Sequence, residues 1–171
     1  GNGVAGASEL HRWRRQEGEV EGHIAFLHCA VEYFSGNSEG AVREAQRALQ
    51  LVPQSSSMVY SNACVLLGSA MQMLGHYAEA EELLRSRYQS QRPKPTQASA
   101  RLLFGLAMVH LHAGQYARAV EVATLLLREA SSASLPILEG WAHDILGRVH
   151  YERNDLERAA AHFTAVTDRR Y

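Results

Sequence analysis

Apolar and small residues along the chain fall into columns that return at a fixed interval. The segments FSGNSEGAVREAQRAL, MLGHYAEAEELLRSR, HAGQYARAVEVATLL and ERNDLERAAAHFTAV align on Gly36, Gly75, Gly114 and Asn154, spaced by 39, 39 and 40 residues. A period in this range is the signature of a repeat architecture. Eight residues before each anchor stand His28, Leu67, Leu106 and Leu146, and seven before it stand the small Cys29, Gly68, Ala107 and Gly147. Five after each anchor comes alanine, as Ala41, Ala80, Ala119 and Ala159, and nine after come Ala45, Leu84, Ala123 and Phe163. Glycine and asparagine enter the left-handed region at least cost and commonly terminate helices. Each anchor therefore predicts the end of one helix and a turn into the next. Small side chains on both sides of the turn let the two helices cross closely as an antiparallel pair.

This predicts an all-α fold, an α-α superhelix of about four helical hairpins at 18–53, 55–92, 96–133 and 135–171, within one domain over 8–171. Residues 1–7 read as a disordered or artificial tail. The stretches LVPQSSS, SQRPKPTQAS and EASSASLP hold all four prolines, with Ser, Gln and Thr as turn formers or helix caps, and read as short connections between repeats.

LLGSAMQMLGHYAEAEELL, with Gly68, Gly75 and Ala80 and a proline in the following loop, resembles the tetratricopeptide repeat. The resemblance covers residues 22–171, although the usual unit is about 34 residues and longer helices or loops must absorb the difference. Units of this extended size, ending in LPILEGWAHDILGRVHYERNDLERAAAHF, resemble the repeat domain of MalT-like regulators in the LuxR family. Leu146-Gly147, Tyr151-Glu152 and Asn154-Asp155-Leu156 carry most of that likeness, and the opening GHIAFLHCAVEYFSGNSEGAVREAQRALQLVP fits it. The resemblance implies a module that senses a ligand beside an NTP-hydrolysing switch and a DNA-binding helix-turn-helix. Neither a GxxxxGK[ST] motif nor a basic recognition helix occurs here, so the chain reads as an excised domain.

Composition narrows the alternatives. With 17 Lys+Arg against 18 Asp+Glu the net charge is −1, which gives no whole-chain footprint for nucleic acid or an anionic membrane. No apolar run approaches the roughly 20 residues needed to cross a bilayer, and the expectation is a cytoplasmic protein. Cys29 and Cys64 have no ligand-like spacing and read as buried hydrophobes. Gly1 to Gly6 spell GxGxxG without a preceding strand, which is a spurious match.

Nine histidines raise the question of metal or acid-base chemistry. His110 and His112 point to different helix faces, and His143 and His150 lie two turns apart, roughly 10 Å, too far to ligate one ion. A packing role is expected for His110 and His150. The cluster His11-Arg12-Trp13-Arg14-Arg15 reads as a solvated helix end, with Trp13 packing on the first repeat. No Ser/His/Asp or Cys/His set can be assembled, so neither catalysis nor a cofactor or metal is expected.

If the resemblance holds, the first helix of each hairpin lines the concave side of a right-handed superhelix. Its candidate ligand-binding residues are Tyr33, Asn62, Gln72, Phe104, Met108, His112, Trp141, Asp144, Arg148 and Tyr151. Aromatic faces stack on sugars or apolar groups, while Asn62, Gln72, Asp144 and Arg148 supply orienting hydrogen bonds. The competing reading makes Phe104, Met108 and Leu111 core of a tightly wound solenoid, and Asp144 with Arg148 an ordinary surface ion pair. Expected partners are a small-molecule effector, or a protein or peptide in the groove, together with other domains of the parent chain. The functional alternative is a generic peptide-binding scaffold of another signalling protein.

Overall fold

The computed structural model describes residues 2–55, 57–91 and 95–168, with side chains from Gln16 onward apart from those of Ser57 and Asp168. Eight helices and no strand occur among these residues: α1 (Asn2–Phe34), α2 (Ser38–Leu51), α3 (Ser57–Met73), α4 (Tyr77–Ser90), α5 (Gln97–His112), α6 (Tyr116–Ser132), α7 (Pro136–Glu152) and α8 (Leu156–Asp168). They pair into four hairpins stacked as a superhelix. The backbone of residues 2–7, read from sequence as a tail, is described as part of α1.

Each anchor residue closes its helix by the same backbone device. Gly36, Gly75, Gly114 and Asn154 take φ of 84°, 86°, 70° and 58°. At the first, the Gly36 N–H donates to the Tyr33 carbonyl at 3.1 Å and the Asn37 N–H to that of Glu32 at 2.9 Å. The last repeats this with Asn154 to Tyr151 and Asp155 to His150, both at 2.9 Å. These paired bonds form a Schellman motif, which satisfies carbonyls that a helix end leaves open. Ser134, with φ of 54°, makes a fifth such turn between α6 and α7. Helix starts are fixed by side chains where Asn37 accepts from the Gly40 N–H at 3.1 Å and where Thr96 and Ser99 form a capping box.

The small column before each turn meets the column nine residues after it. A β-carbon added to Gly68 would lie 2.8 Å from Leu84 Cδ1, and one added to Gly147 would lie 2.6 Å from the Phe163 ring. In the other two hairpins Cys29 clusters with Ala45, and Ala107 with Ala123. A glycine thus faces a large side chain, and a slightly larger residue faces alanine, so the two helices approach closely in every hairpin.

The odd-numbered helices touch one another in sequence, and each even-numbered helix packs on the odd helices before and after it. Backbones of the even helices do not meet, although Tyr88 on α4 hydrogen-bonds Glu129 on α6, and Arg118 on α6 reaches Glu81 on α4 at 3.4 Å. The more closely spaced odd layer is the inner, concave one. The largest apolar cluster runs from Val52 to Ala142 through α3, α4, α5 and α6.

Candidate functional site

The N-terminal halves of α3, α5 and α7 present a connected polar and aromatic band. Asn62, Arg101 and Trp141 occupy the same repeat position, and stacking of the hairpins brings them side by side. Arg101 Nη1 donates to Asn62 Oδ1 at 3.1 Å, and the Arg101 guanidinium carbon lies 5.6 Å from the centre of the Trp141 ring. Trp141 in turn packs on Phe104, with ring centroids 4.6 Å apart. Burial lowers the Arg101 pKa from its ordinary value, and its Nε is buried with no hydrogen-bond partner. The cation is held by an aromatic face and one amide, a setting in which cation–π attraction strengthens as water is excluded.

Toward the C-terminal ends of α5 and α7 the inner face opens into a cleft of about 410 Å³ lined by Leu111, His112, Tyr116, Arg148, Tyr151, Glu152 and Phe163. Asp144, one turn earlier on α7, pairs with Arg148 at 2.9 Å and orients its guanidinium. His112 is held below the ordinary imidazole range by burial first and by the Arg148 charge second. Its neutral ring can therefore both donate and accept at neutral pH. Tyr116 is also reached by Arg153, whose guanidinium carbon lies 5.9 Å from the ring centre.

The band and the cleft stand on a fold whose repeat pattern has a match: residues 22–167 fit the family described as the MalT-like TPR region. The chain belongs to the MalT-like TPR region family. Among curated proteins the chain finds no match. Membership accounts for the hairpin architecture and for a surface shaped for interaction, since solenoids of this kind build extended concave faces.

The sequence candidates divide accordingly. Asn62, Phe104 and Trp141 belong to the band; His112, Arg148 and Tyr151 line the cleft, with Asp144 behind Arg148. Met108 packs against the clusters around Ala107 and Val149, and Leu111 is buried although it reaches the cleft. Tyr33 packs edge-on against Phe34 at 5.3 Å, and Gln72 is half-buried on α3; neither bonds to the band or the cleft among the described residues. Tyr116, Glu152 and Phe163 were not among the candidates. Tyr116 had a signal, because Gly75-His76-Tyr77 and Gly114-Gln115-Tyr116 repeat a tyrosine two residues after the anchor.

His110 is buried and hydrogen-bonds Gln115 at 2.8 Å, a packing role. His143 and His150 do not stand apart, however, because His162 of α8 lies between them. Its Nδ1 is 2.9 Å from that of His143, and its ring stacks on His150 with centroids 5.5 Å apart. Sequence reasoning considered one helix at a time and so missed the residue supplied by its antiparallel partner. No group of three His, Cys, Asp or Glu among the described residues is placed to hold a metal ion. Cys29 and Cys64 are buried free thiols pushed up to about 11, mainly by burial. The side chains of His11 to Arg15, Trp13 included, lie outside the described residues. No helix among the described residues is long and apolar enough to cross a membrane.

Proposed function

We propose that the inner face of α5 and α7 binds a small-molecule effector, and that the chain is the non-catalytic sensor of a MalT-like LuxR-family transcriptional regulator acting in the cytoplasm. The observation that carries this reading is the cleft, in which Arg148 and His112 stand beside the apolar Leu111 and Phe163 and beside Tyr116 and Tyr151. Its volume lies within the roughly 300–1,000 Å³ range of small-molecule sites. A polyhydroxylated or anionic metabolite suits this lining. Tyr151 offers a stacking face, and Arg148 a fork for a carboxylate or vicinal hydroxyls.

Binding there contacts α5, α6, α7 and α8 together, so an effector senses the relative placement of two hairpins. It acts on the rest of a regulator by favouring the hairpin arrangement to which it binds better. DNA binding and nucleotide hydrolysis then belong to other domains of the parent chain.

Titration calorimetry of the chain against sugars and small metabolites tests the reading. Saturable binding is expected, lost in Arg148→Ala, with helicity unchanged by circular dichroism. The second reading is a peptide-binding scaffold, favoured by the continuity of polar and aromatic groups from Asn62 on α3 to Trp141 on α7. A protein partner captured with no small-molecule binding would replace the first reading by this one.

A further inference from the structure

Three histidines meet where α8 lies on α7. His162 of α8 enters between His143 and His150 of α7, its Nδ1 2.9 Å from that of His143 and its ring stacked on His150 with centroids 5.5 Å apart. Two Nδ1 atoms at that distance form a hydrogen bond only when one carries a proton and the other does not. The other ring nitrogen of His143, Nε2, is buried with no hydrogen-bond partner among the described residues. The pair thus has a place for one shared proton, and a second proton sets two N–H groups face to face.

The charges around the rings do not relieve this. At the turn between the helices Asp155 reaches His150 at 3.4 Å, but it is shared with Arg158 of α8 at 3.5 Å. Arg158 stands one turn before His162 and adds positive charge. Glu139, one turn before His143, does not offset the burial that holds His143 below the ordinary imidazole range. His162 is held below it by burial first, then by His143 and His150. Helices α5 and α6 also pack on α7. The first carries no acidic residue, and Glu121 and Glu129 of the second pair with none of the three rings among the described residues.

What the cluster helps to hold in place is one wall of the cleft. Phe163 follows His162 on α8, the edge of its ring fills the space that Gly147 leaves, and it lines the cleft with Arg148 and Tyr151. Among the described residues α8 packs on α7 alone, so the seat of Phe163 depends on that one contact surface. We propose that His143, His150 and His162 form a proton-operated latch, which holds α8 on α7 while the pair shares one proton or none and, on acidification, releases α8 and withdraws Phe163 from the cleft. Acid favours the open arrangement to the extent that it takes up more protons than the closed one. On the sensor reading above, on which this consequence rests, an effector bound at neutral pH leaves the cleft as α8 opens.

Amide hydrogen exchange of the whole chain in low urea, at pH 7 and at pH 5 and corrected for the intrinsic effect of pH on exchange, tests the latch without any ligand. The opening equilibrium of α8, Phe163 included, is expected to grow by about tenfold at pH 5. Its dependence on urea should stay below that of α5, which marks a local event and not general unfolding. His162→Gln keeps a hydrogen-bonding side chain that takes up no proton, and it should remove most of the acid sensitivity. His143→Gln is the second variant, with the same expected result, should the first fail to fold by circular dichroism. An α8 whose opening is the same at both pH values overturns the proposal. So does an α8 that opens with the same free energy and urea dependence as α5, or a folded variant as acid-sensitive as the wild type. Because the readout needs no effector, a cleft that binds no metabolite refutes the sensor reading and not the latch.

Discussion

Gly147 has little room, because the edge of the Phe163 ring lies where a β-carbon would stand, 2.6 Å away. Gly147→Ala must push a packed aromatic ring aside, and overpacking of this kind costs about 1–3 kcal/mol. Urea denaturation should read that loss. Adding Phe163→Ala should recover part of it, since the double variant reproduces the Ala107 and Ala123 pair of the third hairpin. Ser134 poses the opposite problem. It holds φ of 54° without being glycine or asparagine. A non-glycine residue in the left-handed region costs about 1–2 kcal/mol, and glycine gives back part of that in unfolded-state entropy. Ser134→Gly is therefore expected to raise the midpoint of thermal unfolding by a few degrees, whereas the same change at the exposed Ser35 should not.

Among the described residues helix α8 packs on α7 alone, and part of that contact is made by histidines. His143 and His162 both lie below the ordinary imidazole range, each chiefly through burial, and His162 also through the neighbouring His143 and His150. With folded pKa values depressed below 6.5, these groups cost no stability above neutrality. As pH falls through 6.5 the unfolded chain takes up protons that the folded chain refuses, and stability drops until the folded values are passed. The thermal midpoint should therefore fall between pH 7 and 5, and His162→Gln should flatten that slope.

The same helix pair marks the limit of what the sequence makes legible. Anchors and small columns sufficed to place the turn within each hairpin, because left-handed turns and close helix crossings each demand particular residue types. The period survives uneven helices: α2 and α4 run for 14 residues before longer connections, while α6 runs for 17 and turns within three at 133–135. Nothing in a single helix could reveal His162 between His143 and His150, or Phe163 in the wall of the cleft. Those contacts depend on the register between antiparallel partners. Asn62 and Trp141 were easier to find, since stacking hairpins at a constant period aligns equivalent residues, whereas Arg101 between them was not among the candidates.

Across the whole molecule stability is distributed unevenly. The largest apolar cluster binds α3 through α6 to the start of α7, whereas α8 has a single neighbour among the described residues. In a repeat protein each unit is stabilised mainly by its nearest neighbours, so local opening should begin at the ends. Hydrogen exchange at a concentration where the chain is monomeric should show α8 exchanging first and α5 last. A uniform exchange profile would contradict this ordering.

The pairing of glycine with a large side chain and of a larger residue with alanine also bears on how the chain finds its fold. Hairpins built on one pattern can exchange partners while folding, and misassembly between similar units is a known failure of repeat proteins. Here a wrong partner is penalised at a single position. If α8 docked on α1, as a swapped hairpin within one chain, Phe163 would meet Cys29; if α2 docked on α3 across the Gly68 position, Ala45 would leave a void where Leu84 belongs. Adjacent hairpins thus carry different keys, glycine with a large residue alternating with a small residue and alanine, which discriminates between neighbours while the shared turn geometry stays the same.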